Sequence, residues 1–125
     1  YGRVTAIDMN SGDHLWMIAN ADTPDNIKNH RLLEGIDIPR TGIPTRAGVL
    51  LTKELLFIAE GTGGVGASPI FRAVDKATGE IIAEIDLPAN QGGIPFTYEA
   101  DGKQYVAMFV TSGSSAAELV AYALP

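Results

Sequence analysis

Two stretches of sequence decide the fold, because VTAIDMNSGDHLW at residues 4–16 and FRAVDKATGEIIA at residues 71–83 are copies of one pattern. An alanine, an aspartate and a glycine recur at the same spacing in the two copies: Ala6, Asp8 and Gly12, then Ala73, Asp75 and Gly79. In each copy two β-rich runs flank an Asp-x-x-x-Gly turn, which predicts a hairpin. The aspartate of such a turn accepts hydrogen bonds from turn N–H groups, and the glycine supplies a positive φ.

The spacing of the copies predicts a β-propeller. A weaker third copy, LVAYAL at residues 119–124, matches Ala121 with Ala73 at a separation of 48 residues. That interval is close to one four-stranded propeller blade of about 40–50 residues. The first two copies are 67 residues apart, so an insertion lies between them. We infer an all-β chain of about two blades with a short helical insertion, in which Trp16 packs between blades.

Turn signals and β-rich runs divide the chain into four parts. They are a half blade over 1–19, an insertion over 20–43, a full blade over 44–88 and a partial blade over 89–125. The Asp101–Gly102 pair is a strong hairpin signal inside the last part. Strands are predicted over 4–8, 14–18, 47–52, 55–59, 70–75, 81–86, 95–98, 104–110 and 118–123.

The insertion carries the signals of a short helix. Thr23 is a suitable N-cap, Pro24 suits the first turn and Gly35 is a stop signal, so a helix is predicted over 24–33. Insertions on a propeller decorate one of its faces. Two interpretations stay open: the segment shapes access to a central site, or it covers an exposed edge.

Composition narrows the classes of function. Hydrophobic residues make up 46% of the 125 residues and charged residues 19%, which is typical of a globular protein. A net charge of −6 without a basic cluster argues against nucleic-acid binding. The apolar runs are too short to span a bilayer, and the absence of cysteine excludes disulfides. The chain begins at Tyr1 without a methionine, so we expect an excerpt from a longer protein, called the parent below.

Several local motifs match known functional patterns only in part. The run GTGGVG at residues 61–66 matches a dinucleotide-binding pattern, but a Ser-Pro pair and a strand follow it where a helix is required. A loop at the rim of the propeller is the better interpretation. The turn that starts at Asp8 lacks the spacing of an EF-hand, and His14 and His30 each stand alone. No Gly-x-Ser-x-Gly elbow is present. Four acids are expected on a solvated surface: Glu34, Asp37, Glu60 and Glu84.

The spacing Ala-x-Asp-x-x-x-Gly-x-x-x-Trp that ends at Trp16 resembles the tryptophan-docking motif of PQQ-dependent dehydrogenases (PQQ is pyrroloquinoline quinone). Further segments are similar to the C-terminal region of the membrane-bound glucose dehydrogenase group: 22–25, 28–30, 39–48, 75–88, 102–106 and 120–125. One segment departs from that group. Its usual Gly-Gly-His-Gly is SGSS at residues 112–115, without a histidine, which puts glucose specificity in doubt.

The resemblance implies a C-terminal part of an eight-bladed quinoprotein in the periplasm, with any inner-membrane attachment supplied by segments outside this chain. It implies PQQ and Ca²⁺ on the axis of the parent, oxidation of a sugar or alcohol, and a quinone or cytochrome as electron acceptor. The catalytic aspartate and the Ca²⁺ ligands of the family lie in earlier blades. We therefore expect no catalytic residue, no metal ligand and no held cofactor in the chain alone. The alternative is a non-catalytic propeller scaffold that binds proteins.

Four residues are candidates for cofactor contact in the parent. Arg46 opens an innermost strand near the axis, where its guanidinium would pair with a PQQ carboxylate. A surface arginine, or one paired with a nearby acid, is the alternative. Thr45, Gly93 and Pro95 are similarly placed. The remaining blades are the expected partners of this chain, and its exposed edge strands predict self-association of the isolated piece.

Overall fold

The computed structural model describes residues 1–112 and 116–123 and arranges their strands in three antiparallel sheets. The first sheet is a hairpin of β1 (Arg3–Ile7) and β2 (His14–Ala19). The second is a four-stranded meander of β3 (Val49–Leu51), β4 (Leu55–Ala59), β5 (Ile70–Asp75) and β6 (Ile81–Asp86). The third contains β7 (Asn90–Gln91), β8 (Phe96–Ala100), β9 (Lys103–Thr111) and β10 (Glu118–Ala123). Between β2 and β3 lie the helix α1 (Asp25–Lys28) and a 3₁₀ turn (Arg31–Leu33).

The predicted strands agree with this all-β architecture. Those over 55–59, 70–75, 81–86 and 118–123 coincide with β4, β5, β6 and β10, and the other five differ by up to two residues at an end. The short strand β7 was not predicted. It pairs with the same strand, β9, as β8 does, so β7 and β8 form one inner strand interrupted over residues 92–95.

The helix predicted over 24–33 is wrong in length, because the chain leaves helical geometry at His30. That residue is extended (φ −72°, ψ 126°), and its Nδ1 accepts a hydrogen bond from the Leu32 N–H. Thr23 does not cap α1. Its hydroxyl instead accepts from the Thr41 N–H and donates to the Pro39 carbonyl, so it joins the two arms of the insertion.

The repeated turns have the predicted chemistry. The Asp75 carboxylate accepts from the N–H groups of Ala77 at 2.7 Å and Thr78 at 2.9 Å, and Gly79 adopts a φ of +78°. In the first copy the described contacts of the Asp8 carboxylate comprise the Asn10 N–H alone, and the glycine has a φ of +81°. The turn therefore forms twice, with one more hydrogen bond in the second copy.

The second sheet is the middle layer of the stack and packs on both faces. Alternate residues on one face contact the first hairpin: Leu56, Ile58 and Val74 pack against Val4, Trp16 and Ile18. Residues on the opposite face contact the third sheet: Phe57, Ala59 and Phe71 pack against Val106, Met108 and Val110. Alternation along each strand places the two sets on opposite sides, so each sheet buries its neighbour as adjacent propeller blades do.

Trp16 joins the first hairpin to the turn of the next sheet. Its indole N–H donates to the carbonyl of Lys76 at 3.0 Å, and its ring lies against Gly79. A Cβ at Gly79 would stand 2.7 Å from the ring, which is closer than side-chain carbons approach. Two requirements therefore favour glycine at position 79: a positive φ and the absence of a Cβ that would clash with the indole.

Candidate functional site

The longest connections between strands lie on one side of the molecule, at the same ends of the strands in all three sheets. The meander brings the ends of β2, β4 and β6 to the same side as the starts of β3, β5 and β7. Two backbone hydrogen bonds join the connections there, from Arg46 N–H to Thr62 O at 2.8 Å and from Leu87 N–H to Pro69 O at 2.6 Å. We call this side the crossover end.

The insertion leaves and re-enters the crossover end at one point. The Asn20 carbonyl accepts from the Ile43 N–H at 2.9 Å, and the Asn20 N–H donates to Gly2 O at 3.0 Å. The side-chain amide of the same asparagine donates to the carbonyl of Ala59 at the end of β4. Residues 21–42 therefore form a closed loop whose base is fixed to the first and second sheets.

A cavity of about 640 Å³ lies between this insertion and the Gly-rich loop, residues 61–66. Its insertion wall includes Asp22, Asn26 and Lys28, and its other wall includes residues 63–66 and Ser68. The Lys28 ammonium is 2.5 Å from the Asp22 carboxylate. The hydrogen bond from Lys28, assisted by the Thr23 N–H, holds the pKa of Asp22 below its ordinary value. One wall of the cavity therefore keeps its carboxylate ionised.

Arg46 and Thr45 lie beside the Gly-rich loop at the crossover end. The Arg46 side chain is exposed and runs alongside Gly63. A Cβ placed on Gly63 would lie 3.8 Å from Cγ and 3.8 Å from Nε of Arg46. Within the described residues Arg46 forms no ion pair with a carboxylate. Thr45 is half-buried, with its methyl group against Gly64. The structure thus brings these two candidates together with the loop that the sequence placed at the rim.

Gly93 and Pro95 lie in the interruption between β7 and β8. Gly93 is half-buried and Pro95 is fully buried. The side chain that positions this segment is Gln91, whose amide nitrogen donates to Gly93 O at 2.7 Å and to Gly48 O at 2.9 Å. Its amide oxygen accepts from the Ala59 N–H at 3.2 Å. Gln91 therefore fastens the third sheet to the second, immediately beside the start of β3.

Sequence reasoning did not find Gln91. The available signal was a polar residue directly before two glycines and a proline, at a position where the flanking strands are apolar. Its side chain is completely buried and is satisfied on both of its amide atoms. A buried glutamine with partners on neighbouring strands fixes register and spacing, since each lost bond leaves a buried group unpaired.

The expectation that Glu60 lies on a solvated surface is wrong. Glu60 and Arg72 are 3% and 4% exposed, and Glu60 Oε1 is 2.7 Å from Arg72 Nη2. Arg72 Nε also pairs with Glu84, whose side chain is 46% exposed. Glu60 continues the alternation that buries Leu56 and Ile58 on β4, so its burial follows from the face on which it lies. The arginine across the sheet supplies the charge that makes this burial possible.

The described residues contain no group of three or more His, Cys, Asp or Glu side chains that could bind a metal ion. No helix within residues 1–112 and 116–123 is long and apolar enough to cross a membrane. The segment 112–115, where the family's histidine is missing from the sequence, falls mainly outside the described residues, since only Ser112 belongs to them.

Comparison with known proteins gives consistent matches. Residues 1–106 match the profile of the PQQ family described as the β-propeller domain of glucose, ethanol and alcohol dehydrogenases. The whole chain aligns at 34% identity with the glycerol dehydrogenase large subunit of Gluconobacter thailandicus, over 17% of that protein. It aligns at 28% identity with the quinoprotein glucose dehydrogenase of Gluconobacter oxydans (strain 621H) and at 30% with that of Escherichia coli (strain K12). The chain covers 16% of each of these two proteins.

Proposed function

The chain belongs to the PQQ β-propeller family of glucose, ethanol and alcohol dehydrogenases, and on that basis we propose that it forms part of a larger, periplasmic quinoprotein dehydrogenase. The observation that carries the proposal is the alignment of the whole chain with glycerol and glucose dehydrogenases, together with the docked Trp16. The parent oxidises an alcohol group of a polyol or sugar and passes the electrons to a quinone or a cytochrome.

The substrate proposal rests on two features. The relatives named above act on glycerol or glucose by their names, and both compounds carry several hydroxyl groups. The SGSS sequence at residues 112–115 lacks the histidine expected in the glucose group. A polyol or a sugar other than glucose is therefore the favoured substrate class.

The residues of the crossover end fit an anionic cofactor. PQQ carries three carboxylates and, when bound, serves as the two-electron acceptor for the alcohol. Arg46 offers an exposed guanidinium, which forms paired hydrogen bonds with carboxylates. Thr45 adds a hydroxyl beside it, and Gly93 and Pro95 extend the same end of the wall. Within the parent we assign Arg46, Thr45 and Gly93 to cofactor contact, whereas Pro95 is buried in the chain and supports the Gly93 segment from behind. We assign Ca²⁺ binding and the catalytic base to blades outside this chain.

The role of this chain in the reaction is then to bind and to orient. Arg46 balances carboxylate charge, the Gly-rich loop allows close backbone approach, and the packed sheets behind it exclude water. The insertion, which forms the opposite wall of the 640 Å³ cavity, shapes access to this end.

Reconstitution of the full-length parent tests the proposal. The apoprotein is titrated with PQQ in the presence of Ca²⁺, and dye reduction is measured with glycerol, other polyols, glucose and ethanol. We expect PQQ-dependent reduction that is faster with a polyol or a non-glucose sugar than with glucose. A parent that binds no PQQ and reduces no dye would be a scaffold, which is the alternative that the repeats alone allow.

A further inference from the structure

Behind the Gly-rich loop, a charged pair is buried between the first two sheets. Glu60 and Arg72 are 3% and 4% exposed, and their closest atoms are 2.7 Å apart. The same face buries the apolar side chains of Ile58 and Val74. Replacing a buried ion pair by apolar side chains of similar volume is often neutral or stabilising, so the pair adds little that Leu and Met would not supply. Its presence needs an explanation other than stability.

The second oxygen of Glu60 supplies that explanation. Oε2 accepts the N–H of Ser68 at 2.6 Å, so one carboxylate at the start of the loop holds the backbone at its end. Between these points Gly61, Gly63 and Gly66 adopt positive φ. Glycines restrict the backbone least, so the loop depends on such outside contacts for a single conformation.

The same loop carries the contact to the cofactor-binding candidate. The carbonyl of Thr62 accepts the backbone N–H of Arg46 at 2.8 Å, and the Arg46 side chain lies along Gly63. A chain of contacts therefore runs from Arg72 through Glu60 to the loop and on to Arg46. Movement of the loop would move the guanidinium.

We propose that Glu60, paired with Arg72, is a positioning residue that fixes the Gly-rich loop and thereby places Arg46 for binding the PQQ carboxylates. This inference rests on the proposed function and deepens it. Glu60 touches no cofactor in this scheme and acts only through the loop. Glu84, which pairs with Arg72 from the half-exposed side and forms no hydrogen bond with the loop within the part of the chain that the structure describes, has no such role.

The first test compares two isosteric substitutions in the full-length parent. Glu60→Gln removes the charge that holds both Arg72 and the Ser68 N–H, and Glu84→Gln removes a charge from Arg72 only. PQQ binding to the apoproteins is followed by fluorescence titration, and thermal stability is recorded for the same samples. We expect the Kd for PQQ to rise about tenfold in Glu60→Gln, as for the loss of one charge-assisted hydrogen bond, and to be unchanged in Glu84→Gln.

A double variant separates positioning from stability and decides the matter if Glu60→Gln folds poorly. Glu60→Leu with Arg72→Met replaces the buried pair by apolar side chains of similar volume, so we expect the melting temperature to return toward that of the unchanged parent. Leucine has no acceptor, so the tether to the Ser68 N–H is absent in this variant. We therefore expect the Kd for PQQ to remain about tenfold raised, since the tether and not the charge pair determines it.

Three outcomes overturn the inference while leaving the proposed function intact. They are an unchanged Kd in Glu60→Gln, an equal rise in Glu84→Gln, and recovery of the Kd together with stability in the double variant. An unchanged parent that binds no PQQ refutes the proposed function itself, so the two failures are distinguishable.

Discussion

At the scale of single residues, Gly79 and Gly12 occupy the same place in the repeat but differ in what surrounds them. Both have φ near +80°, yet a Cβ at Gly12 would meet nothing within 4 Å, whereas at Gly79 it would meet the Trp16 ring. Alanine at either position costs about 1–2 kcal/mol in backbone strain. Only Gly79→Ala also displaces the indole and its hydrogen bond to Lys76.

We expect Gly79→Ala to destabilise the chain by about 1–3 kcal/mol more than Gly12→Ala, because packing and one hydrogen bond are lost in addition to strain. Trp16 is the only tryptophan of the sequence, so its fluorescence reports the docking directly. Emission should shift to longer wavelength in Gly79→Ala and stay unchanged in Gly12→Ala. Equal destabilisation and equal spectra of the two variants would show that the indole does not dock on the turn.

Asp75 gives the repeat a pH dependence. The N–H groups of Thr78 and Ala77 stabilise the carboxylate and hold the pKa of Asp75 below its ordinary value. A lowered pKa in the folded state contributes stability above the unfolded-state pKa, and this contribution is lost as the pH falls through the folded-state value. We expect Asp75→Asn to be less stable than the unchanged chain at pH 7, and the difference to narrow below about pH 4.

Urea unfolding at a series of pH values measures this difference. Asp8→Asn is the comparison at pH 7, where its effect should be smaller because Asp8 accepts one turn N–H instead of two. A gap between Asp75→Asn and the unchanged chain that stays constant to pH 2 would contradict the assignment.

At the scale of elements, Gln91 holds β7 and the interrupted inner strand in place. It bonds Ala59 of β4 and the carbonyls of Gly48 and Gly93; the bond to Ala59 is buried and the other two are partly buried. Gln91→Ala would leave several buried groups unpaired, so we expect a loss of about 3–5 kcal/mol. The Ala59 amide should also exchange its hydrogen faster.

Gln104→Ala is the matched control for this element. Gln104 is exposed on β9, and among the described residues its side chain bonds only the hydroxyl of Thr97, so its loss should cost less than about 0.5 kcal/mol. Denaturant unfolding and hydrogen exchange distinguish the two variants. A Gln91→Ala chain with unchanged stability would mean that apolar packing alone seats the third sheet on the second.

The elements also show which features were accessible from sequence. The hairpins of the repeat were predicted because their turn chemistry is local. The strands 55–59, 70–75 and 81–86 were predicted because their short apolar-rich runs end at clear breaks. β7 has two residues, too few for a period, and α1 lacks the predicted cap because the Thr23 hydroxyl bonds Pro39 and Thr41 instead. These outcomes depend on partners distant in the chain.

In the candidate site, too, some features could be predicted from the sequence and others could not. Arg46 and Thr45 were predicted to border the axis because they precede an inner strand, a position given by the order of strands. The structure places them beside the Gly-rich loop. The burial of Glu60 could not be foreseen, since an acid beside glycines is normally solvated. It is buried because Arg72 stands across the sheet, and cross-strand register is a tertiary property.

At the scale of the whole molecule, the stack ends in two apolar faces. The outer side of the first hairpin exposes Ile7, Leu15 and Met17. The outer side of the third sheet exposes Phe96, Tyr98, Phe109 and Leu119. Within the described residues β10 pairs only with β9, so its other edge also carries free backbone groups. In a propeller each such face would be covered by the next blade, and in the isolated chain neither is.

Because the two faces lie at opposite ends of the stack, they are expected to join different copies: the hairpin of one chain covers the third sheet of the next. Such a contact is heterologous and builds rings or open assemblies. We therefore expect the average mass of the isolated chain in sedimentation experiments to rise with concentration.

Phe109 and Leu119 are direct cross-strand partners, so Phe109→Glu with Leu119→Glu places two carboxylates on the outer face of the third sheet and should suppress the rise in mass. Val65→Glu, on the exposed Gly-rich loop, should leave it unchanged. A clean monomer at high concentration would show that these faces need the parent's own blades before they bind.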